Sequence, residues 1–252
     1  MIRGVSLAVK LDFTGRQLSA FGAPPARAET YQAGEFVGCV ADGGPCNCET
    51  YRITPHCNGT HTECVGHLTA QKIFVCDLDL PPLMACCVAS VIPGPCRNDE
   101  YHPRLSPDDK VVEAGALQAA MQRSGWRPGI PALVVRTRRE IFGDLSAFFS
   151  NDAMRWIRKC AVEHLLVDFA SVDKADDDGK LSNHRIFWDL PQDRRIESAR
   201  SERTITEMIF VPDEIEDGLY ALNLRPAAWM ADAAPSNPVL YPLDGPFGPV
   251  FN

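Results

Sequence analysis

The sequence has 252 residues, a formal net charge of −8 and 45% hydrophobic residues. This length allows one or two domains with a substantial core, and the hydrophobic fraction excludes a disordered chain. The acidic balance argues against binding to duplex nucleic acid, which depends on basic groups at the phosphates. Nine of the ten cysteines lie between Cys39 and Cys96.

The first residues indicate a strand and not a targeting segment. Val5, Leu7, Val9 and Leu11 alternate with other residues, which is the period of a half-buried strand, and no continuous apolar run precedes them. The longest uncharged stretch, 80–96, contains four prolines and is too short to cross a bilayer. We therefore expect a cytoplasmic protein with reduced thiols and no membrane partner.

The first hundred residues are strand-like and rich in turn signals, and Ile73–Leu78 is typical of a short buried strand. A helix is predicted from Ser106, because a serine cap, Pro107 and two acidic residues form its first turn. Its end is predicted at Gly125, and its apolar face would consist of Val111, Ala114, Leu117 and Met121.

Buried strands then alternate with an amphipathic helix. Pro131–Thr137 and Leu165–Phe169 are strand-like runs, and between them Asn151 or Asp152 can cap a helix through Ala161. Further strands are predicted at Ile205–Phe210, Leu219–Leu224 and Val239–Tyr241. The alternation favours an α/β fold, and the strand-rich ends favour one domain, residues 1–252, with a mixed central β-sheet flanked by helices.

The densest group of reactive side chains lies between His56 and His67. His61 and Glu63 are two residues apart, so in an extended segment they point to the same side and converge on one point, as ligands of one metal must. Gly59 allows the backbone to approach that point closely. Nitrogen plus oxygen ligation suits Zn²⁺, Mn²⁺, Fe²⁺ or Co²⁺.

The segment Gly59-Thr60-His61-x-Glu63-x-x-x-His67 resembles the H-x-G-T-H-x-D-x-P-x-H signature of the metal-dependent cyclase-like hydrolases, which include bacterial kynurenine formamidase and isatin hydrolase. The resemblance implies a divalent metal, an α/β fold often assembled as dimers, and hydrolysis of an amide or lactam-type C–N bond. It also implies that His61 and Glu63 are metal ligands and that His67 is the acid/base group.

Two departures indicate a divergent member of that family. The first histidine of the pattern would fall on Cys57, whereas His56 lies one residue earlier. Either His56 reaches the metal through a bulge, which we favour, or Cys57 ligates as a thiolate. Val65 replaces the proline, and Glu63 replaces a shorter aspartate, so the family's substrate is not carried over.

The resemblance continues downstream. Asp168–Asp173, followed by His184, resembles the family's Asp-x-x-Ser-x-Asp turn and later histidine. In the family this histidine and a following glutamate complete a second metal position, which implies His184 and Glu207 here. Glu197 and Glu202 are nearer to His184 in sequence and stay as alternatives.

We therefore predict a hydrolase of a small amide, formamide or lactam-type compound, with His67 as acid/base and one or two Zn²⁺ or Mn²⁺ ions. The predicted metal ligands are His56, His61, Glu63, His184 and Glu207. Two alternatives stay open: a lyase or cyclase that works through an enolate, and a non-catalytic protein that binds a metal or a small ligand. A structural site would be closed by four protein ligands, so joint ligation by His56 and Cys57 would favour the non-catalytic protein.

The cysteine cluster includes Cys57 and Cys64 within the motif and Cys46 and Cys48 just before it. We interpret these cysteines as lining or packing a reduced metal pocket and not as a disulfide framework. The expected partners are a small-molecule substrate and, by resemblance, further copies of the chain in a homodimer or larger homo-oligomer. No nucleic-acid partner is expected.

Overall fold

The computed structural model describes residues 4–192 and 194–243. Its strands are β1 (Val5–Ser6), β2 (Arg27–Thr30), β3 (Gln32–Ala33), β4 (Phe36–Val37), β5 (Glu49–Arg52), β6 (His61–Glu63), β7 (Met84–Ser90), β8 (Val111–Val112), β9 (Ala132–Arg136), β10 (Phe148–Phe149), β11 (His164–Val167), β12 (Thr204–Glu207), β13 (Gly218–Asn223), β14 (Ala233–Pro235) and β15 (Val239–Pro242). Its α-helices are α1 (Ala114–Arg123), α2 (Asn151–Lys159) and α3 (Ser182–Phe187).

Nine strands form one mixed sheet in the order β1-β15-β13-β7-β9-β11-β12-β6-β14. The four central strands β7, β9, β11 and β12 are parallel, and the strands on either side pair antiparallel. Central parallel strands are buried on both faces, which explains why β9 and β11 are continuous apolar runs. The predicted α/β class and the mixed sheet are confirmed.

The two faces of the sheet are covered differently. Leu133 of β9 belongs to the same buried cluster as Leu117 of α1 and Ile157 of α2, so these helices cover one face. Val134, the next residue of β9, belongs to a second cluster with Leu222 of β13. That cluster also contains Ile209, Val211 and Ile215 from the segment between β12 and β13, and one sheet organises a single domain.

The first predicted helix begins later than expected. Residues from Ser106 form a turn, because the Asp109 amide donates to the Ser106 carbonyl and the Asp109 carboxylate accepts from the Ser106 amide. Val111–Val112 then pairs in parallel with β10 as a short strand. The helix starts only at Ala114, whose amide donates to the Asp99 side chain. Tertiary pairing thus overrides a local start signal.

Other local predictions also differ from the structure. Ile73–Leu78 contains a 3₁₀ turn at Val75–Asp77 in place of a strand, and β1 covers only Val5–Ser6 of the alternating N-terminal run. Helix α2 is capped by Ser150, whose hydroxyl accepts from the Ala153 amide, and not by the two residues after it. None of the helices in the described part of the chain is long and apolar enough to cross a membrane.

The cysteines are free, but they do not form one pocket lining. All ten are unpaired. Cys46 and Cys48 are exposed in the segment just before β5, whereas Cys64 is buried in a small apolar cluster with Val75 and Ala234. The interpretation of the cluster as a pocket lining is wrong for the two exposed residues, because neither lies in the cavity wall beside the candidate ligands.

Candidate metal centre

Strand β6 carries two of the predicted ligands into the interior. It pairs antiparallel with β12 on one side and β14 on the other. His61 and Glu63 are fully or almost fully buried, and Thr62 between them points the other way and bonds Thr206 Oγ1 at 2.8 Å. The two-residue spacing therefore places the two potential ligands on one side of the strand.

The orientation of His61 is set by the backbone just before it. Its Nδ1 lies 3.0 Å from the carbonyl oxygen of Gly59. A carbonyl only accepts, so the proton is on Nδ1 and the Nε2 lone pair faces the site. Gly59 has a φ of 105°, a conformation that favours glycine. The glycine of the motif thus directs the imidazole.

Glu63 lies between two imidazoles. Its Oε2 is 3.1 Å from His56 Nδ1, and its Oε1 is 3.0 Å from His184 Nε2. His56, His61 and Glu63 form one group of donor atoms within 4.8 Å of each other, and Glu63, His67 and His184 form another. These two groups share Glu63, and a third group consists of His56, His67 and Asp232.

His184 comes from helix α3, which Asp173 holds in place. The Asp173 carboxylate accepts from the backbone amides of Asn183 and His184, and its Oδ2 lies 2.6 Å from His184 Nδ1. The ring is thereby turned so that Nε2 faces Glu63. This is the arrangement in which a carboxylate behind a histidine fixes its orientation as a ligand.

Glu207 reaches the site because it lies opposite His61 in the β6–β12 pairing. Its Oε2 is 3.5 Å from His61 Nε2 and its Oε1 is 3.8 Å from His184 Nε2, so it offers one oxygen to each histidine. Of the alternatives, Glu197 is exposed beside Arg195, and Glu202 accepts from the Asp79 amide. The structure therefore brings Glu207, and neither alternative, to the predicted ligands.

His56 and Cys57 are separated by the geometry. His56 Nδ1 belongs to the donor group with His61 and Glu63, whereas Cys57 belongs to no such group among the described residues. Burial raises the pKa of the half-buried Cys57 thiol, which disfavours the thiolate that a metal requires. The arrangement favours His56 as the first histidine.

One acidic residue at the site was missed by the sequence analysis. Asp232, immediately before β14, has its Oδ2 2.8 Å from His56 Nε2 and 3.3 Å from His67 Nδ1. It lies 165 residues from His67 in the chain, and no local pattern marks it.

Carboxylates give the site a strong affinity for positive charge. Burial lowers the pKa of His56, but Asp232 and Glu63 outweigh it and raise that pKa to about 10. Burial likewise opposes protonation of His184, whose pKa nonetheless lies well above its usual value because of Glu63 and Asp173. Burial would raise the pKa of Glu63, but the charges of His67 and His184 hold it well below its usual value.

The residues present fit a bound cation. His61 Nε2 and both carboxylate oxygens of Glu63 are buried without a hydrogen-bond partner, and the imidazole nitrogens of His56 and His184 lie 3.1 and 3.0 Å from the Glu63 oxygens. Burying such a group without a partner costs about 1–3 kcal/mol. Buried lone pairs directed at one region are what a divalent ion satisfies, and nitrogen plus oxygen donors suit Zn²⁺ or Mn²⁺.

His56, Glu63, His67, His184 and Glu207 line a cavity of about 220 Å³, whose wall also includes Phe21, Ser171, Lys174, Asp177 and Leu181. A cavity of similar size elsewhere, beside Arg127 and Tyr220, has no imidazole or carboxylate in its wall. The candidate ligands therefore face a space in which a small molecule can approach them.

The chain is similar to known proteins in sequence family and in fold. Residues 6–174 match the family described as putative cyclase. Isatin hydrolase A from Labrenzia aggregata superposes with a TM-score of 0.62 at 14% identity, covering 95% of this chain and 93% of its own. Isatin hydrolase A from Ralstonia solanacearum gives 0.59 at 15% identity, covering 95% and 92%. A predicted metal-dependent hydrolase from Bacillus stearothermophilus gives 0.59 at 12% identity, covering 96% and 98%.

No curated protein matches the sequence significantly. The solved structures, at these low identities, establish the shared fold. The family match spans two thirds of the chain and includes the whole histidine motif. This chain therefore belongs to the putative cyclase family.

Proposed function

We propose that the protein is a metal-dependent hydrolase that cleaves the C–N bond of a small amide, formamide or lactam-type compound. One observation carries the proposal. The Glu63 carboxylate joins a donor group with His56 and His61 to a donor group with His67 and His184, and His56, Glu63, His67 and His184 line a cavity. His61 Nε2 and the Glu63 oxygens are buried without a hydrogen-bond partner. The solved relatives named as hydrolases support it.

His56, His61 and Glu63 would hold one ion, and Glu63, His184 and Glu207 would hold a second. The shared position of Glu63 supports a site for two ions, and Zn²⁺ or Mn²⁺ suits the donors. A bound divalent ion would polarise the substrate carbonyl and make water more acidic. An open cavity beside the ligands favours catalysis over a closed structural site.

His67 is the proposed proton carrier. It lies in the cavity wall, 27% exposed, with its Nδ1 toward Asp232. A carboxylate only accepts, so the proton is on Nδ1 and Nε2 is free to take a proton from water. Water oxygen then bonds to the carbonyl carbon, the C–N bond breaks, and His67 returns the proton to the leaving nitrogen. The products are a carboxylic acid and an amine.

The charges in the cavity wall support a neutral substrate. Lys174 is the one lysine in the wall, and its Nζ is paired with Asp109 at 2.8 Å. Asp173 and Asp177 add negative charge. A substrate carboxylate would meet these groups without a free lysine or arginine from the described wall, so we propose that an uncharged amide is preferred over its acidic analogue.

The test is metal analysis combined with a screen of N-acyl aromatic amides and cyclic imides, each beside a carboxylate-bearing analogue. Incubation in water labelled with heavy oxygen should place the label in the acid product, whereas a lyase or cyclase would leave the product unlabelled. His67→Ala should retain the metal and lose most of the rate. No turnover by fully metallated protein would count against the hydrolase.

We further propose that the enzyme is a cytoplasmic homo-oligomer. The ten unpaired cysteines support a reducing compartment, and the family resemblance supports the assembly. Light scattering of the purified protein measures the oligomeric state, and a monomer at micromolar concentration would contradict that part.

A further inference from the structure

Each candidate histidine ligand has an acceptor behind its ring. His61 Nδ1 faces the carbonyl of Gly59 at 3.0 Å, and His184 Nδ1 faces Asp173 at 2.6 Å. The third ring, His56, has its Nε2 2.8 Å from Asp232 Oδ2, while its Nδ1 faces Glu63. Because an ionised carboxylate only accepts, Asp232 holds the proton on Nε2, so Nδ1 is the nitrogen that a bound ion would occupy in place of its proton.

The same oxygen of Asp232 also contacts the proposed proton carrier. Asp232 Oδ2 lies 3.3 Å from His67 Nδ1, and the rings of His56 and His67 lie 4.3 Å apart at their centres. One carboxylate oxygen therefore orients a ring that would bind the ion and a ring that would move the proton.

Backbone pairing between β14 and β6 fixes the position of Asp232. Ala233 is the partner of Glu63 in the β6–β14 pairing, and the Asp232 carbonyl extends that pairing by accepting from the Cys64 amide at 2.9 Å. Strand β14 is the last strand of the sheet, and β6 is its one neighbour there. The edge strand thus fixes Asp232 next to Glu63.

Asp232 forms a third group of possible donors with His56 and His67, but its contacts differ from those of Glu63. Its approaches to His56 and His67 have the alignment of hydrogen bonds. The Glu63 oxygens lie at similar distances from their imidazoles but make no hydrogen bond. Asp232 thus lies behind the rings and Glu63 lies in front of them.

We propose that Asp232 is a positioning residue that directs His56 toward the metal position and His67 toward the substrate. The proposal rests on the function proposed above. It also accounts for how a histidine displaced by one residue from the family pattern can still serve as the first ligand, since a carboxylate from a distant strand turns its ring.

The test compares metal affinity, measured by competition with a chromogenic chelator, with the rate at saturating metal. Asp232→Ala should weaken metal binding about 10–100-fold and should lower the rate further when metal is saturating. Asp232→Asn, which keeps an acceptor oxygen, should restore part of the affinity. Asp213→Ala, a change at an exposed turn residue, is the matched control and should change neither quantity.

A double-mutant cycle isolates the His56 contact. In the His56→Ala background, Asp232→Ala should cause no further loss of metal affinity. Three results would each overturn the proposal. The first is an equal loss of metal affinity in both backgrounds, and the second is an altered number of bound ions. The third is an unchanged metal affinity with only a lower unfolding midpoint. Metal binding without turnover of any amide would overturn the hydrolase, while the affinity cycle would still decide the role of Asp232.

Discussion

His164 makes the stability of the sheet that carries the site depend on pH. It is the first residue of β11 and pairs with Thr204 of β12, the strand that ends at Glu207. The ring is 4% exposed, and its Nδ1 lies 3.0 Å from Thr204 Oγ1. Burial lowers its pKa from 6.5 to about 4, so the folded protein keeps this imidazole neutral.

The sign follows from proton linkage. Below pH 6.5 the unfolded chain binds a proton at this histidine and the folded chain does not, so stability falls with pH until about pH 4. The contribution of His164 to the free energy of unfolding is fully present above pH 6.5. At 1.36 kcal/mol per pKa unit, the loss from His164 is roughly 2 kcal/mol between about pH 7.5 and pH 5, and roughly 3 kcal/mol at its limit.

Urea unfolding of the wild type and of His164→Asn at several pH values measures this contribution. The two proteins share every other titratable group, so the difference between the two curves isolates His164. We expect the variant to lose less stability than the wild type on acidification, by about 2 kcal/mol over that range. Parallel curves, or an NMR titration of His164 with a pKa above 6, would refute the reasoning.

Three further changes test the site itself. His61→Ala should abolish metal binding and activity, because it removes a fully buried ligand. If elemental analysis finds the metal still bound to the variant, the assignment of His61 as a ligand is contradicted. Glu207→Gln should weaken metal binding. Glu197→Gln, at an exposed residue that pairs with Arg195, should not. Equal effects of the two changes in the chelator competition would contradict the choice of Glu207 as the ligand. Gly59→Ala should cost about 1–3 kcal/mol of unfolding free energy through its positive φ and should also weaken metal binding, since the Gly59 carbonyl orients His61. An unchanged melting temperature would show that this backbone conformation tolerates a side chain.

The predictions that succeeded depend on short-range geometry. The apolar runs that became β9 and β11 predicted buried strands, since such runs suit a strand covered on both faces. Local patterns gave wrong element boundaries where a segment pairs with a part of the chain that is distant in sequence. Ser106 and Pro107 have the chemistry of a helix start, yet Val111–Val112 pairs with β10 and delays the helix to Ala114.

The sequence by itself determined the composition of the motif and the common side of His61 and Glu63, because strand periodicity depends only on neighbouring residues. Only the tertiary structure decided what completes the site. It brought Glu207 and not Glu197 or Glu202 to His61, through the β6–β12 register. It also placed Asp232 behind His56 through the β6–β14 edge pairing. Strand register is set by packing over the whole sheet, so no spacing along the chain encodes those contacts.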